Sequence, residues 1–405
     1  MTITLDDARA LDRDDSLGRF RDEFLIGDDP VAYLDGNSLG RPPLRTLARV
    51  EDLMRREWGG RLIRGWEDGW LELPEQVGDR LAAASLGAAP GQTVVAESTS
   101  VNIFKLLHAA CDLRPGRDEI VATDTDFPTD RYLVESVAAA RGMTVRWLSP
   151  DLVVGVEPED VRAALSERTA FVLLSHVDYR SGALADLPTI TALAHDAGAL
   201  AVWDLCHSAG AVPLALDADG VDLAVGCTYK YLNGGPGAPA FLYVAERHIG
   251  AVRQPITGWW GVADRFAMGP TYEPAPSIRV MLSGTAYVPG LVAVDASAEV
   301  VAEAGLEAIR AKSVALTSLC VELADAWLEP HGFRVASPRD PARRGSHITV
   351  RGPGARAVAD AMTQARVIPD YRNPDMIRLG LSPLTTSYAE LWTALDVTRR
   401  IVEER

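Results

Sequence analysis

Short apolar runs alternate with amphipathic stretches from about Ala89 to Val244. The apolar runs include EIVATD, AFVLLSH, LAVWD and VDLAVGC, and the stretches between them carry apolar residues at helical spacing. Short strands separated by helices are typical of βαβ units. The pattern therefore predicts an α/β fold with a mostly parallel central sheet and helices on both of its faces.

The pattern changes in the last third of the chain. A long helical run extends from about Gly290 to Leu328, followed by the strand-like HITVR and a final helix from about Ser387 to Val402. The start of the chain has the composition of turns and short helix. We therefore expect an N-terminal arm over residues 1–45, a large α/β domain over 46–289, and a smaller C-terminal α+β domain over 290–405 that the arm accompanies.

Charge and composition narrow the class of protein. The chain has 405 residues and a formal net charge of -16, which argues against a nucleic-acid or anionic-membrane partner, because both need clustered positive charge. The start lacks the apolar core of a signal peptide, and no segment offers the roughly 18 apolar residues of a membrane span. The cysteines are widely spaced without a C-x-x-C pair, so we expect free thiols and no metal site. A cytoplasmic enzyme is the expectation.

Lysine is rare in this chain, which contains only Lys105, Lys230 and Lys312. Lys105 and Lys312 stand at helical spacing among apolar residues, and we expect both on solvated helix faces. Lys230 instead follows the apolar run VDLAVGC and precedes the glycine-rich segment NGGPG. This predicts that Lys230 lies at the end of a buried strand, where α/β sheets bind their ligands.

Polar residues at the neighbouring strand end give Lys230 candidate partners. Asp204 ends the run LAVWD, and His207 follows it. A buried carboxylate near a lysine has two interpretations. One is a structural ion pair. The other is a site for pyridoxal 5'-phosphate (PLP), in which the lysine forms a Schiff base and the aspartate keeps the pyridine nitrogen protonated.

A PLP site needs further groups, and the sequence offers candidates for them. Ser98, Thr99 and Ser100 precede a helical run, where they either cap the helix or bind a phosphate. Phe127 is a candidate to stack on the pyridine ring, although its segment alone reads as a proline turn. Ser175 ends the run AFVLLS and is a candidate to reach the ring oxygen.

An amino-acid substrate also needs its carboxylate held, which arginine does with two parallel hydrogen bonds. Arg372 and Arg378 both lie in the segment YRNPDMIRLGLSP. We favour Arg378, because it stands in an apolar run where an unpaired charge is costly. A salt bridge to an acidic neighbour is the alternative interpretation of Arg378.

Several longer motifs together resemble the kynureninase family. They are YLDGNSLGRPP, STSVNIFK, DFPTDRY, WDLCHSAGAVPL, CTYKYLNGGPG, TGWWG and YRNPDMIRLGLSPL, and they span nearly the whole chain. The resemblance implies a fold-type I PLP-dependent enzyme. It also implies an activity: hydrolysis of the Cβ–Cγ bond of L-kynurenine, or of its 3-hydroxy form, to anthranilate or 3-hydroxyanthranilate and L-alanine.

The resemblance assigns roles to individual residues, which we state as expectations. Lys230, Tyr229 and Asp204 would be catalytic, with Tyr229 as a general acid or base. The cofactor would be bound by Thr99, Ser100, Phe127, Pro128, Thr129, Asp130, Ser175, Asp204, His207, Tyr229, Lys230, Trp259 and Thr285. Trp259 and Thr285 would come from the partner subunit of a homodimer.

The substrate's aryl ketone needs an apolar, partly aromatic pocket. Arg378 would hold the carboxylate, and Asn37, Ser38 and Trp66 are candidates for the aryl pocket, with a core position as the alternative for Trp66.

Two residues depart from the family's pattern. Cys206 stands where we expect alanine, and Asp178 stands where we expect asparagine. The cysteine is a small change, whereas Asp178 would add a negative charge near the site.

Four other functions stay open at this point. An aminotransferase or another β-cleaving PLP enzyme is one, although it would not explain GWWG or YLDGNSLG. A cysteine desulfurase shares the fold and cofactor but needs a nucleophilic cysteine on a loop of the small domain, and VIPDYRNPDMIRLG contains none. A kynureninase-like hydrolase of a substituted kynurenine in secondary metabolism is not separable by sequence. A binding or regulatory module on the same fold would be expected to lose Lys230, which is present.

Overall fold

The computed structural model describes residues 3–405, and its strands form three sheets. In chain order the strands are β1 (Ala32–Tyr33), β2 (Thr93–Val95), β3 (Glu119–Thr123), β4 (Thr144–Leu148), β5 (Thr169–Ser175), β6 (Leu200–Asp204), β7 (Leu223–Gly226), β8 (Phe241–Val244), β9 (Arg334–Val335), β10 (His347–Arg351), β11 (Val367–Ile368), β12 (Asp370–Arg372) and β13 (Met376–Gly380).

Helices connect these strands and cover the sheets. In chain order the α-helices are α1 (Leu5–Asp14), α2 (Leu44–Asp52), α3 (Gly59–Arg61), α4 (Leu73–Leu81), α5 (Thr99–Leu113), α6 (Pro128–Arg141), α7 (Pro158–Ala164), α8 (Leu187–Asp196), α9 (Glu246–Ile249), α10 (Val288–Ala304), α11 (Leu306–Trp327), α12 (Ala355–Gln364) and α13 (Tyr388–Glu403).

The large sheet has the strand order β2-β8-β7-β6-β5-β3-β4. Strands β3 to β7 are parallel to one another, and β8 lies antiparallel between β7 and β2. The predicted α/β fold with a mostly parallel sheet is confirmed. Because only β8 is reversed, the other strands end at the same edge of the sheet, which is where such folds bind ligands.

Side chains of the central strands alternate between two hydrophobic cores, one on each face of the large sheet. Val172 and Leu174 of β5 pack with residues of α4, α8 and α10, whereas Phe171 and Leu173 pack with residues of α5 and α6. This alternation follows from the two-residue period of a strand. Strands buried on both faces have nearly continuous apolar sequences, which explains the apolar runs.

A third core lies in the C-terminal part of the chain, between the β12-β13-β10-β9 sheet and helices α11 to α13. We call this unit the small domain. The N-terminal arm packs on it, since β1 pairs with β11 and α1 packs against α13.

The helical run predicted from Gly290 to Leu328 is two helices, interrupted at Gly305 with φ 77°. Helix α10 packs Leu291 and Val294 into the core of the large sheet. Most of α11's buried apolar residues lie in the core of the small domain. The three-part division of the chain stays a prediction.

Lys105 and Lys312 do not lie on solvated helix faces, so that prediction is wrong. The Lys105 side chain is fully buried, with Nζ 3.2 Å from Glu97 Oε1 and 2.9 Å from Met281 O. Nζ of Lys312 lies 2.6 Å from the buried carboxylate of Asp15. Both ammonium groups bond to protein acceptors in place of water, and such bonds are what allow a charge to be buried.

Candidate active site

A cavity of about 210 Å³ lies at the edge of the large sheet where β3, β5, β6 and β7 end. Loops after these strands and the first turn of α5 form most of its wall, and the small domain contributes two arginines. The lining residues are Ser38, Thr99, Ser100, Phe127, Thr129, Asp130, Ser175, Tyr179, Asp204, Cys206, His207, Tyr229, Lys230, Arg372 and Arg378. Most residues of the predicted site are therefore brought together.

Lys230 lies on the loop between β7 and β8, with its Nζ 3.2 Å from Nε2 of His207. Burial lowers the pKa of His207 well below its usual value, and the charges of Lys230 and Arg378 lower it further. The His207 ring is therefore uncharged, so it places no positive charge in contact with the amine of Lys230.

Two buried aspartates stand together in the cavity wall. Asp204 ends β6, and its Oδ1 accepts a hydrogen bond from the Cys206 N–H at 2.7 Å. Asp130 lies in the first turn of α6, where burial raises its pKa well above the usual range and the charge of Asp204 raises it further. A proton on Asp130 removes the repulsion between the two neighbouring carboxyl groups.

The first turn of α5 presents hydroxyl groups to the same cavity. Ser98 caps the helix, its Oγ accepting a hydrogen bond from the Val101 N–H at 3.4 Å, and Thr99 and Ser100 follow as the first helical residues. Free N–H groups at a helix start favour a bound phosphate. Tyr229 also lines the cavity, and burial raises the pKa of its hydroxyl.

Arg378 is almost fully buried on β13 and reaches the cavity from the small domain. Its Nη2 lies 2.6 Å from Oδ2 of Asp370 and 2.9 Å from Oγ of Ser38, and its Nη1 donates to the carbonyl oxygen of Tyr179. Its Nε has no hydrogen-bond partner within residues 3–405. The salt-bridge interpretation of Arg378 is confirmed, and its role in binding a substrate carboxylate stays a prediction.

Five predicted residues do not line the cavity of the single chain, namely Asn37, Trp66, Pro128, Trp259 and Thr285. Asn37 is fully buried against Gly380. Trp66 packs edge-on against Trp260, with ring centroids 5.5 Å apart, in the core of the large domain. Trp259 and Thr285 lie on the surface, and Thr285 lines a neighbouring cleft that also includes Thr99, Ser100 and Tyr229. Their roles stay predictions.

Pro128 is the first residue of α6, between the cavity residues Phe127 and Thr129. It fixes the start of the helix, since proline is favoured at that position.

Sequence reasoning missed Tyr179 as a wall of the cavity. Tyr179 follows β5 and packs edge-on against Phe127, with ring centroids 5.4 Å apart. Its position depends on a turn held by Asp178, whose Oδ1 accepts hydrogen bonds from the N–H groups of Arg180 and Ser181 at 2.8 and 2.7 Å. The carboxylate of Asp178 thus forms a turn and does not line the cavity. No sequence signal short of recognising this Asx turn would have found Tyr179.

The donor set of the cavity fits PLP. It combines an amine, a carboxylate beside it for a ring nitrogen, an aromatic face, and hydroxyls at a helix start for a phosphate. Oδ2 of Asp130 is buried and lacks a hydrogen-bond partner within the described residues. This atom is therefore available to a polar group of a ligand.

Known families match two parts of the chain. The family described as Cys/Met metabolism PLP-dependent enzyme matches residues 84–238, and the Kynureninase C-terminal domain matches residues 309–398. Among solved structures, the fold is similar to cysteine desulfurase from Thermococcus onnurineus NA1, with a TM-score of 0.84, 17% identity, and coverage of 96% of this chain and 98% of that one. The chain is a fold-type I PLP-dependent enzyme.

Curated relatives narrow the class. A kynureninase from Pseudomonas fluorescens is 42% identical, covering 99% of this chain and 96% of the relative. A kynureninase from Burkholderia pseudomallei (strain K96243) is 41% identical with the same coverage. The chain belongs to the kynureninase family.

Proposed function

We propose that this chain hydrolyses L-kynurenine, or its 3-hydroxy form, to anthranilate or 3-hydroxyanthranilate and L-alanine. Water adds OH to the acyl carbon and a hydrogen to Cβ as the Cβ–Cγ bond breaks. The observation that carries the proposal is the single cavity in which Lys230, Asp204 and Arg378 meet, in a chain of this family.

PLP, when bound, supplies an electron sink that stabilises negative charge at the carbons next to the amino group. Lys230 would hold it covalently, and Asp204 would keep its ring nitrogen protonated. The amine of Lys230 would also be the base for the Cα proton of the substrate. The uncharged His207 at 3.2 Å lets Nζ do so without a charged neighbour in direct contact.

Tyr229 moves a proton at the far side of the substrate. Its raised pKa keeps the hydroxyl protonated at neutral pH, so the group can donate to the γ-oxygen or to Cβ. We assign it the general acid and base role, shared with a hydrogen bond to the phosphate.

Arg378 and Ser38 orient the substrate. Arg378 binds the substrate carboxylate through its free Nε donor, and its hydrogen bond to Ser38 Oγ at 2.9 Å fixes the two side chains relative to each other. A fixed carboxylate and a fixed amine together direct the Cα–H bond toward Nζ of Lys230.

The test is an absorbance spectrum of the purified chain with PLP, before and after L-kynurenine, with anthranilate followed by fluorescence. We expect a cofactor band that kynurenine changes, with anthranilate and alanine formed in equal amounts, and neither in Lys230→Ala. A cofactor band without product from kynurenine or 3-hydroxykynurenine would refute the proposed substrate and favour a substituted kynurenine. The absence of any cofactor band would refute the role of Lys230.

A cysteine desulfurase activity is not favoured. All four cysteines are buried, and Cys320 lies inside α11, where burial raises the pKa of its thiol to about 12. A nucleophilic thiol needs the opposite environment. Sulfide release from L-cysteine should therefore be absent in the same preparation.

The proposal includes a homodimer in which each subunit completes the other's phosphate site with Trp259 and Thr285. Exposed apolar side chains beside these two residues support it: Phe266 is 66% exposed, Met268 73% and Tyr287 63%. Mixing inactive Lys230→Ala with inactive Trp259→Ala subunits should restore part of the activity, because one of the two sites in the mixed dimer would then be intact. A mixture without any gain would contradict shared sites.

Within residues 3–405, no helix combines the length and apolar character needed to cross a membrane. We expect the enzyme to act in the cytoplasm, and fractionation of the host cells with activity assays on each fraction tests this.

A further inference from the structure

Lys105 is a buried cation without a part in the chemistry described above. Its side chain is fully buried in α5, with Nζ 2.9 Å from the carbonyl oxygen of Met281 and 3.2 Å from Oε1 of Glu97. Burial lowers its pKa, and the charge of Glu97 opposes this. An apolar side chain of similar length would avoid the cost of desolvating an ammonium group. The charge of Lys105 is therefore explained by the two groups that it holds in place.

On one side, Lys105 holds the turn that leads into α5. Glu97 has φ 58°, a left-handed conformation that is uncommon for residues other than glycine, and it directly precedes the capping residue Ser98. The backbone of Glu97 is fixed by the Ala240 N–H, which donates to its carbonyl oxygen at 2.9 Å. Lys105 fixes its side chain, and so secures the turn that presents Thr99 and Ser100.

On the other side, Lys105 holds the segment that leads to Thr285. Met281 lies four residues before Thr285, and the carbonyl oxygen of Ser283 between them accepts a hydrogen bond from the Trp260 N–H at 3.1 Å. The segment is therefore also linked to the loop that carries Trp259. Both sides meet in one cleft of about 720 Å³, which Glu97, Ser100 and Thr285 all line.

We propose that Lys105 is a positioning residue for the phosphate of PLP, because it ties the turn carrying Thr99 and Ser100 to the segment carrying Thr285. The inference rests on the proposed function, which gives Thr285 to a phosphate site, and on the position of Thr99 and Ser100 at the start of α5, where a phosphate is favoured. If Thr285 serves the partner's site, Lys105 also links the phosphate site of its own subunit to that of the partner.

The test distinguishes binding of the phosphate from binding of the rest of the cofactor. Lys105→Met keeps the side-chain length and removes the charge. Lys312→Met is the matched control, because Lys312 is the other buried lysine, paired at 2.6 Å with Asp15, and it lies outside the cofactor cavity. For each full-length apoprotein we would measure the dissociation constants of PLP and of pyridoxal, which lacks the phosphate, by absorbance titration, together with Tm.

We expect Lys105→Met to weaken PLP binding about tenfold and pyridoxal binding less than about twofold, the loss expected when one charge-assisted contact is removed. Lys312→Met should lower Tm and leave both constants within about twofold. Equal losses for PLP and pyridoxal in Lys105→Met, or no loss for either, would overturn the proposal.

A second variant keeps the test decisive if Lys105→Met does not fold. Glu97→Gln removes only the charge of the turn and leaves the bond to Met281, and we expect PLP binding alone to weaken, by about threefold. Unchanged PLP binding in Glu97→Gln would overturn the proposal. Failure of the unsubstituted chain to bind PLP would instead refute the proposed function, and this inference with it.

Discussion

Replacing Arg378 with methionine should remove most of the enzyme's preference for substrates that carry a carboxylate. Nη2 of Arg378 contacts Ser38 and Asp370, and one hydrogen of Nη1 is donated to Tyr179. The N–H of Nε has no partner within residues 3–405, so this donor is free for a ligand.

The expected loss follows from this free donor. A hydrogen bond to a charged group contributes about 1.5–3 kcal/mol. Since about 1.4 kcal/mol is a tenfold effect, loss of this bond should lower kcat/KM roughly 10- to 100-fold.

The assay compares L-kynurenine with kynuramine, its analogue without the carboxylate. We would measure kcat/KM for kynurenine and the inhibition constant of kynuramine in the parent and in Arg378→Met. We expect kcat/KM to fall at least about tenfold while the inhibition constant changes less than about threefold. Arg344→Met is the matched control, because Arg344 is equally buried but bonds only to residues of its own domain, among them Ser318 Oγ at 2.8 Å.

Two results would refute the reasoning. Equal loss of kynurenine turnover and kynuramine binding in Arg378→Met would mean that the arginine supports the cavity and does not bind a carboxylate. A similar loss of kcat/KM in Arg344→Met would mean that any buried arginine of this domain has the same effect.

Two further predictions concern proton transfer and acid stability. Tyr229→Phe should lower kcat about 100-fold or more while PLP loading, followed by absorbance, changes much less; equal effects would contradict its proton-transfer role. For Asp222, burial alone would raise the pKa, but hydrogen bonds from His195, His248 and Arg247 together hold it below the usual range. The stabilisation is therefore complete above the unfolded pKa of about 4 and is lost as pH falls through the folded value. Asp222→Asn should lower the free energy of unfolding by about 3 kcal/mol at pH 7, and the difference from the parent should shrink below about pH 4; a difference independent of pH would refute this.

The sequence predicted the parts of the fold that depend on local pattern. Strand period, helix period and the glycines that end helices, such as Gly142 with φ 66° after α6, gave the α/β architecture. The position of Lys230 after β7 followed from the same pattern. Because parallel strands end at one edge, the residues after β5 and β6 could be placed near it.

The parts that sequence could not predict depend on long-range contacts. Lys105 is buried because its acceptor is Met281, 176 residues away in the sequence. A helical pattern cannot reveal such a partner, so the sequence favoured the solvated position that most lysines occupy. Tyr179 likewise lies in the cavity wall because of a turn whose geometry is set by four consecutive residues. The periodic spacing of apolar residues does not reveal such a turn.

The antiparallel strand β8 has a consequence for how the chain leaves the ribosome. Strand β2, which leads directly into the turn and helix that present Thr99, pairs in the large sheet only with β8, and Thr93 meets Tyr243 about 150 residues later. At about 5–20 residues per second of synthesis, β2 waits on the order of 8–30 s for its neighbour. A nascent chain therefore already contains Lys230 while the edge of the sheet that leads into α5 is still unpaired, and this edge is completed only once β8 has been synthesised.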